Sequence, residues 1–168
     1  MGKVNFYTNY GFNHGKNRSF GFVESDRPNL ENRQDFNFTN TNTSHLAKIG
    51  VDYYINDNNT LSFFTNWNIA DGKGNSTTNV NYYNNTTYAD ELQTNTNNSG
   101  NITQTYDLNY KHNFKKKGEL IEFQANYATT SSDDISYFRN NGVLRLNDLD
   151  SKTNYAQFNI DYTNPIDE

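Results

Sequence analysis

The chain has no cysteine, so no disulfide framework and no thiolate metal site can be built from it. Proline occurs twice and methionine and tryptophan once each, and the strong helix formers Ala, Leu and Glu are scarce. No stretch approaches the roughly 20 consecutive apolar residues of a membrane-spanning helix. The opening "MGKVNFYTNYGF" lacks the charged, apolar and small-residue regions of a secretory signal. Positive charge is thin as well. Lys115-Lys116-Lys117 is the one basic run, and a net charge of -5 argues against a nucleic-acid partner, which needs clustered Lys and Arg.

What is present is equally biased. Only 33% of the 168 residues are hydrophobic and mean hydropathy is -1.02, yet 15% are aromatic, far too many for a simply disordered chain. About one residue in five is Asn, accompanied by much Thr and Ser. Such residues suit strands with one wet face, and polar turns.

The apolar residues recur with period two. "TLSFFTNWNIA", Thr60 to Ala70, places Leu61, Phe63, Thr65, Trp67 and Ile69 on one side. The same alternation runs through Val4–Phe12, His45–Ile55, Ile102–Phe114, Leu120–Ala128 and Tyr155–Tyr162, about six strands in all. Parity across the turns agrees. With Asp57–Asn59 as a loop, Tyr53 meets Phe63 and Val51 meets Thr65; with Lys115–Gly118 as a loop, Tyr110 meets Phe123 and Leu108 meets Ala125. The intervening segments, 13–43, 71–100 and 129–154, are polar and read as long loops at the opposite end from the short turns. Aromatics crowd the short-turn end, as in an interfacial girdle.

The expected fold is therefore all-β: an antiparallel up-and-down meander of about six long strands, an incomplete segment of a transmembrane β-barrel with short turns at one end and long loops at the other. Val51, Phe63, Thr65, Trp67, Leu108, Phe123, Phe158 and Ile160 are the expected lipid-facing residues. Lys48, Asp52, Asp107, Lys111, Glu122 and Asp161 are expected to face the lumen. Tyr82, Tyr83 and Tyr88 form a candidate ligand-contacting loop, since aromatic rings offer apolar platforms.

No catalytic, cofactor-binding or metal constellation stands out. His14, His45 and His112 are widely spaced and read as strand-end or loop residues. Asp133-Asp134 and "NDLDS", Asn147 to Ser151, read as solvated loop carboxylates without the glycine and terminal glutamate of a calcium loop. "DGKGNST", Asp71 to Thr77, departs from the phosphate-loop order and reads as a flexible loop.

"KIGVDYYINDNNTLSFFTNWN", Lys48 to Asn68, and "YDLNYKHNFKKKGELIEFQANYATTSSDD", Tyr106 to Asp134, resemble the β-barrel part of TonB-dependent outer-membrane receptors, within the outer-membrane β-barrel family close to SusC-like transporters. The likeness runs from "GKVNFYTNYGFNH" to "NYAQFNIDYTNPIDE". It implies a bacterial outer-membrane location and uptake of a nutrient such as a glycan or siderophore, without catalysis. The implied partners are outer-membrane lipid, the rest of the barrel and a plug domain, the TonB complex acting on the full-length protein, and a surface lipoprotein. Residues 1–168 then read as a single barrel segment without plug domain or signal peptide. The competing reading is a soluble or cell-surface β-sandwich, an adhesion or carbohydrate-binding module whose apolar faces close a core. A membrane-embedded hydrolase would need a Ser, His and acid triad, which nothing marks.

Overall fold

A computed structural model describes residues 3–27, 30–84 and 87–166. They form six strands, β1 (Val4–Arg27), β2 (Leu30–Asn56), β3 (Asn59–Asn84), β4 (Thr87–Asn113), β5 (Leu120–Asn140) and β6 (Val143–Thr163). Each pairs antiparallel with the next, giving one open sheet in the order β1-β2-β3-β4-β5-β6. The all-β meander expected from the alternation is what the chain adopts.

The strands are 21 to 27 residues long, more than twice what the alternating runs alone define. The three polar segments expected to be long loops are instead outward continuations of the ladder: Asn13 pairs with Ser44, Asp71 with Gly100 and Thr129 with Asn154, and pairing runs on to the far hairpins. The physical reason is that ladder hydrogen bonds use backbone groups only. Once an apolar hairpin fixes the register, Thr, Asn and Ser extend it at little cost on a sheet that is wet on both faces. Residues 28–29 and 85–86, within two of those segments, lie outside the described residues.

Turn chemistry explains the near ends. Between β4 and β5 the Phe114 amide donates to the Glu119 carbonyl at 2.9 Å, and Gly118 takes the left-handed φ of 82° that the bend requires. His112↔Ile121, Tyr110↔Phe123 and Leu108↔Ala125 follow, as parity requires. Between β2 and β3 the turn is Asp57-Asn58, one residue shorter than the expected loop, with an irregularity between Tyr54 and Asn56. The Asn56 side-chain oxygen accepts from the Asn58 amide at 3.0 Å and from Asn59 Nδ2 at 2.7 Å, tightening the turn. The register consequently moves by two, so that Tyr53 meets Leu61 and Val51 meets Phe63. A shift of two keeps every side chain on its face.

One sheet has no second layer to pack against. Val80, 2% exposed, is the buried hydrophobic residue of the described chain, whereas Phe158 and Ile160 are each 69% exposed. The accessible surface is 12334 Å², against about 8,500 Å² for a globular protein of this mass. No sandwich core closes among the described residues. The outer edges of β1 and β6 are left without a paired strand.

Candidate functional site

Register divides the sheet into two faces, and the near half of one is a continuous apolar band. Its rows run from Asn59, His112, Ile121 and Tyr162 to Phe12, His45, Ile69 and Ile102. Val51, Phe63, Leu108, Ala125 and Phe158 share one row, Thr65 and Tyr106 the next, and Trp67 the one after. Phe123 and Ile160 are neighbours in the row toward the turns. All eight residues expected to face lipid thus lie on one face. Across the band the only side chain with a formal charge is Lys152, at its outer corner on the edge strand β6.

The band is eleven residues long on β3, Asn59 to Ile69, or roughly 34 Å along the strand. Tilted by 35–45°, it stands about 24–28 Å tall, the height of the apolar belt on outer-membrane barrels. Both margins carry amphipathic rings. At the turn end Tyr110 donates to Asn59 Oδ1 at 2.6 Å and Tyr162 to Glu119 Oε1 at 2.6 Å. At the other margin Tyr10 OH lies 2.7 Å from His45 Nδ1, and Trp67 Nε1 donates to Thr65 Oγ1 at 2.9 Å. Rings with one apolar side and one satisfied polar tip suit a boundary between hydrocarbon and water. The aromatics are therefore not confined to the short-turn end.

The histidines are strand residues, not loop residues, and all three lie on this same face. His45 and His112 sit at opposite margins of the band, and His14 one row beyond the outer one. Among the described residues no three His, Asp or Glu side chains converge as a metal site.

The opposite face carries Lys48, Asp52, Asp107, Lys111, Glu122 and Asp161, all six of the expected lumen-facing residues. They do not form one centre. Lys111, Glu122 and Asp161 adjoin in a single row, with Lys111 Nζ 3.2 Å from Glu122 Oε1. Lys48 Nζ lies 4.7 Å over the Phe64 ring, Asp52 accepts from Asn5 Nδ2 at 3.2 Å, and Asp107 accepts from Asn126. Lys48, Asp52, Asp107, Lys111 and Glu122 thus each have a local partner, which is how a polar wall holds ionisable groups without large penalty, while Asp161 pairs across the ladder with Glu122. Nothing here supplies a nucleophile and base in reach of one another.

Beyond the band both faces are mainly polar, with scattered apolar residues such as Phe20, Phe22, Phe38, Val80, Leu92 and Leu146. The first row past it sets Asp71, Asp133 and Asp150 on the apolar side, with Asp133 directly opposite Asp150. These carboxylates are ladder residues, as are Asp134 and the stretch Asn147–Ser151, and so is "DGKGNST" within β3. Asp134 accepts from Asn97 Nδ2 at 2.7 Å and Ser136 Oγ at 2.9 Å, and these bonds hold its carboxyl below the usual range.

Tyr82, Tyr83 and Tyr88 are not in a loop either. Tyr83 pairs with Tyr88 on one face, while Tyr82 pairs with Ala89 and projects to the other. The three nevertheless line one cavity of about 410 Å³ at the far end of β1 to β4, beside Glu24 and Arg33. Arg33 Nη1 lies 2.7 Å from Glu24 and Nη2 2.8 Å from Asp35, which lowers the Asp35 carboxyl pKa. Tyr88 is held by donating to Asn81 Oδ1 at 2.9 Å.

Two features escaped the alternation. Asn141-Gly142 is a two-residue β5–β6 hairpin turn with φ of 46° and 80°, a pattern the Asn-Gly dipeptide itself signals. On the polar face a trough passes over Gly72 and Gly74, marked in sequence only by two glycines two apart in an Asn, Thr and Ser alternation.

No protein-family model matches the chain, and no curated protein does. Solved structures give distant likenesses. A structure of P. aeruginosa FpvA bound to heterologous pyoverdines aligns with 96% of this chain and 34% of its own, at 8% identity and TM-score 0.31. The membrane pore complex of pneumolysin aligns over 95% and 31%, at 8% identity and TM-score 0.17. P. aeruginosa OccK5 (OpdH) aligns over 92% and 96%, at 8% identity and TM-score 0.13. The chain spans about a third of the FpvA and pneumolysin chains.

Proposed function

We propose that the chain is a wall segment of a bacterial outer-membrane β-barrel, that of a TonB-dependent receptor taking up a nutrient such as a glycan or siderophore, and that it performs no catalysis. The observation that carries this reading is the single apolar band, eleven residues long on β3, charged only at Lys152 in its outer corner and edged with aromatic rings, on a sheet with two unpaired edges. Hydrocarbon tolerates no unpaired backbone groups, so a face of this kind requires further strands to close the sheet. A sandwich module would need a second sheet over the same band, and the described residues form one layer.

In this reading Val51, Phe63, Thr65, Trp67, Leu108, Phe123, Phe158 and Ile160 touch lipid. Lys48, Asp52, Asp107, Lys111, Glu122 and Asp161 face an interior occupied by water or by a plug domain. The outer continuations of the strands stand clear of the bilayer and carry Tyr82, Tyr83 and Tyr88 toward ligand, with a surface lipoprotein as a further partner there. The TonB complex acts through the full-length protein.

The absence of cysteine makes a direct test available. With the segment inside the complete barrel in liposomes, a cysteine placed by Thr65→Cys should react with a membrane-dissolved maleimide and resist a water-soluble one. Asn66→Cys should do the reverse. Rapid labelling of both by the aqueous reagent would overturn the reading.

A further inference from the structure

Immediately outside the apolar band, the same face carries charge of opposite sign on its two sides. The two rows beyond Phe12, His45, Ile69 and Ile102 hold Lys16 on β1 and Lys73 on β3, but Asp133 on β5 and Asp148 and Asp150 on β6. Arg18 follows Lys16 one row further out. The carboxylate on the basic side of these rows is Asp71, one row nearer the band than Lys73.

Lys16 and Lys73 share a row, with Thr41 of β2 between them. Two strand spacings separate their backbones, about 9.6 Å. Both residues are exposed, and among the described residues neither ammonium has a carboxylate within ion-pairing distance. Arg18 is braced by donating from Nε to Asn37 Oδ1 at 3.1 Å. Ammonium groups on flexible stems, with a hydroxyl between them and a guanidinium beside them, converge readily on one compact anion such as a phosphate.

The place of the patch says where that phosphate comes from. Lys73 lies four residues beyond Ile69, or about 9–11 Å higher at the tilt of a barrel wall. The polar interface of a bilayer adds about 5–8 Å to each side of its hydrocarbon, so stems leaning toward the band bring their charges to the level of lipid phosphates. Only the row of His14, Thr43 and Asp71 separates the patch from the band, so an anion seated there keeps an apolar tail alongside Ile69 and Trp67. Asp133, Asp148 and Asp150 repel the same anion from the β5–β6 side, which leaves β1–β3 as its seat.

We infer that Lys16 and Lys73, with Arg18 beyond them, bind the phosphate headgroup of an anionic lipid in the leaflet next to the outer half of the strands. This rests on the barrel-wall reading and names the class of lipid that the wall holds at this point. The test uses Trp67, the single tryptophan of the chain, on the same strand and face as Lys73. The segment is taken inside the complete barrel in liposomes, with any other tryptophan replaced by phenylalanine. Dibrominated phosphatidic acid or dibrominated phosphatidylcholine is titrated against unbrominated phosphatidylcholine, since bromine on an acyl chain quenches a ring that it touches. Quenching of Trp67 should show phosphatidic acid favoured about tenfold. Lys16→Gln combined with Lys73→Gln should abolish the preference, while Lys48→Gln, on the opposite face, should leave it unchanged.

Should the double variant insert poorly, Asp71→Asn decides the matter. It removes the carboxylate beside Lys73, so the preference should rise about twofold, a gain that damage to the fold would not produce. Equal quenching by the two lipids, a preference that survives the double variant, or one unmoved by Asp71→Asn overturns the inference. The two readings fail differently: insertion with equal quenching removes the phosphate site and leaves the barrel wall, whereas a Trp67 that neither brominated lipid quenches removes the wall at this face and the site with it.

Discussion

Strand β3 contains two halves that differ in everything except their hydrogen bonds. Asn59–Ile69 alternates Leu61, Phe63, Thr65, Trp67 and Ile69 against Ser62, Phe64, Asn66 and Asn68; from Asp71 to Tyr83 the strand is mostly polar on both sides, Asp71, Lys73, Asn75 and Thr77 on one and Ser76 and Thr78 on the other, with Val80 and two tyrosines toward its end. Both halves pair with β2 and β4 residue by residue in an unbroken antiparallel ladder. Backbone pairing therefore does not require an apolar face. The apolar face ends with Ile69 on β3 and so divides the sheet into an apolar-faced half and a mainly polar one, which the proposed reading assigns to the bilayer and to the space beyond it.

The sharpest way to break that comparison is to put a charge on the belt. Within the complete barrel, Thr65→Arg should cost roughly 2 to 4 kcal/mol of folding free energy in lipid, because Thr65 lies in the middle rows of the belt, while Asn66→Arg should be tolerated. Urea titration of folding in liposomes measures both. Equal losses would mean that the two faces see the same medium.

A smaller effect is expected where β1 and β2 pack against each other on the polar face. Gly50 lies under the Tyr7 ring, and an added Cβ would fall 2.1 Å from Tyr7 Cζ. Gly50→Ala must displace that ring and should lose about 1–3 kcal/mol. Tyr7→Ala in the same background should recover most of the loss in a double-mutant cycle, whereas additive losses would contradict the interlock. The outer half has a loose counterpart in Gly15, where a Cβ would meet nothing within 4 Å. Gly15→Ala should be nearly neutral.

The smallest expected effect belongs to the outer half alone. Hydrogen bonds from Asn97 and Ser136 lower the Asp134 carboxyl pKa relative to the unfolded chain. A lowered folded-state value means that the contribution is complete above the ordinary carboxylate range and fades as pH falls through the lowered one. The protection factors of β4 and β5 amides near Asn97 and Ser136, taken relative to the intrinsic exchange rate at each pH, should fall in acid, and Asp134→Asn should flatten that dependence. A belt that responded equally would remove the distinction between the halves.

Where the sequence was legible, it was legible through side chains. Period two placed every expected lipid-facing and lumen-facing residue on its own face, because in a strand face membership follows from parity and survives even the two-residue register shift at Asp57-Asn58. The Lys115–Gly118 hairpin came out in register because its four residues close as counted. Asn141-Gly142 carries an equally local signal, but the polar composition of 129–154 masks the strands on either side of it.

The sequence by itself determined the alternation, the belt and its charge boundary at Asp71, since these are properties of residue identity and spacing. The tertiary structure alone decided that the polar segments continue as strands, that Tyr82 leaves the face of Tyr83 and Tyr88, and that Gly72 and Gly74 open a trough beneath Asn95. The reason is that a ladder is held by backbone groups common to nearly every residue. Its length and its hollows are set by the strands on either side, not by the pattern of any one of them.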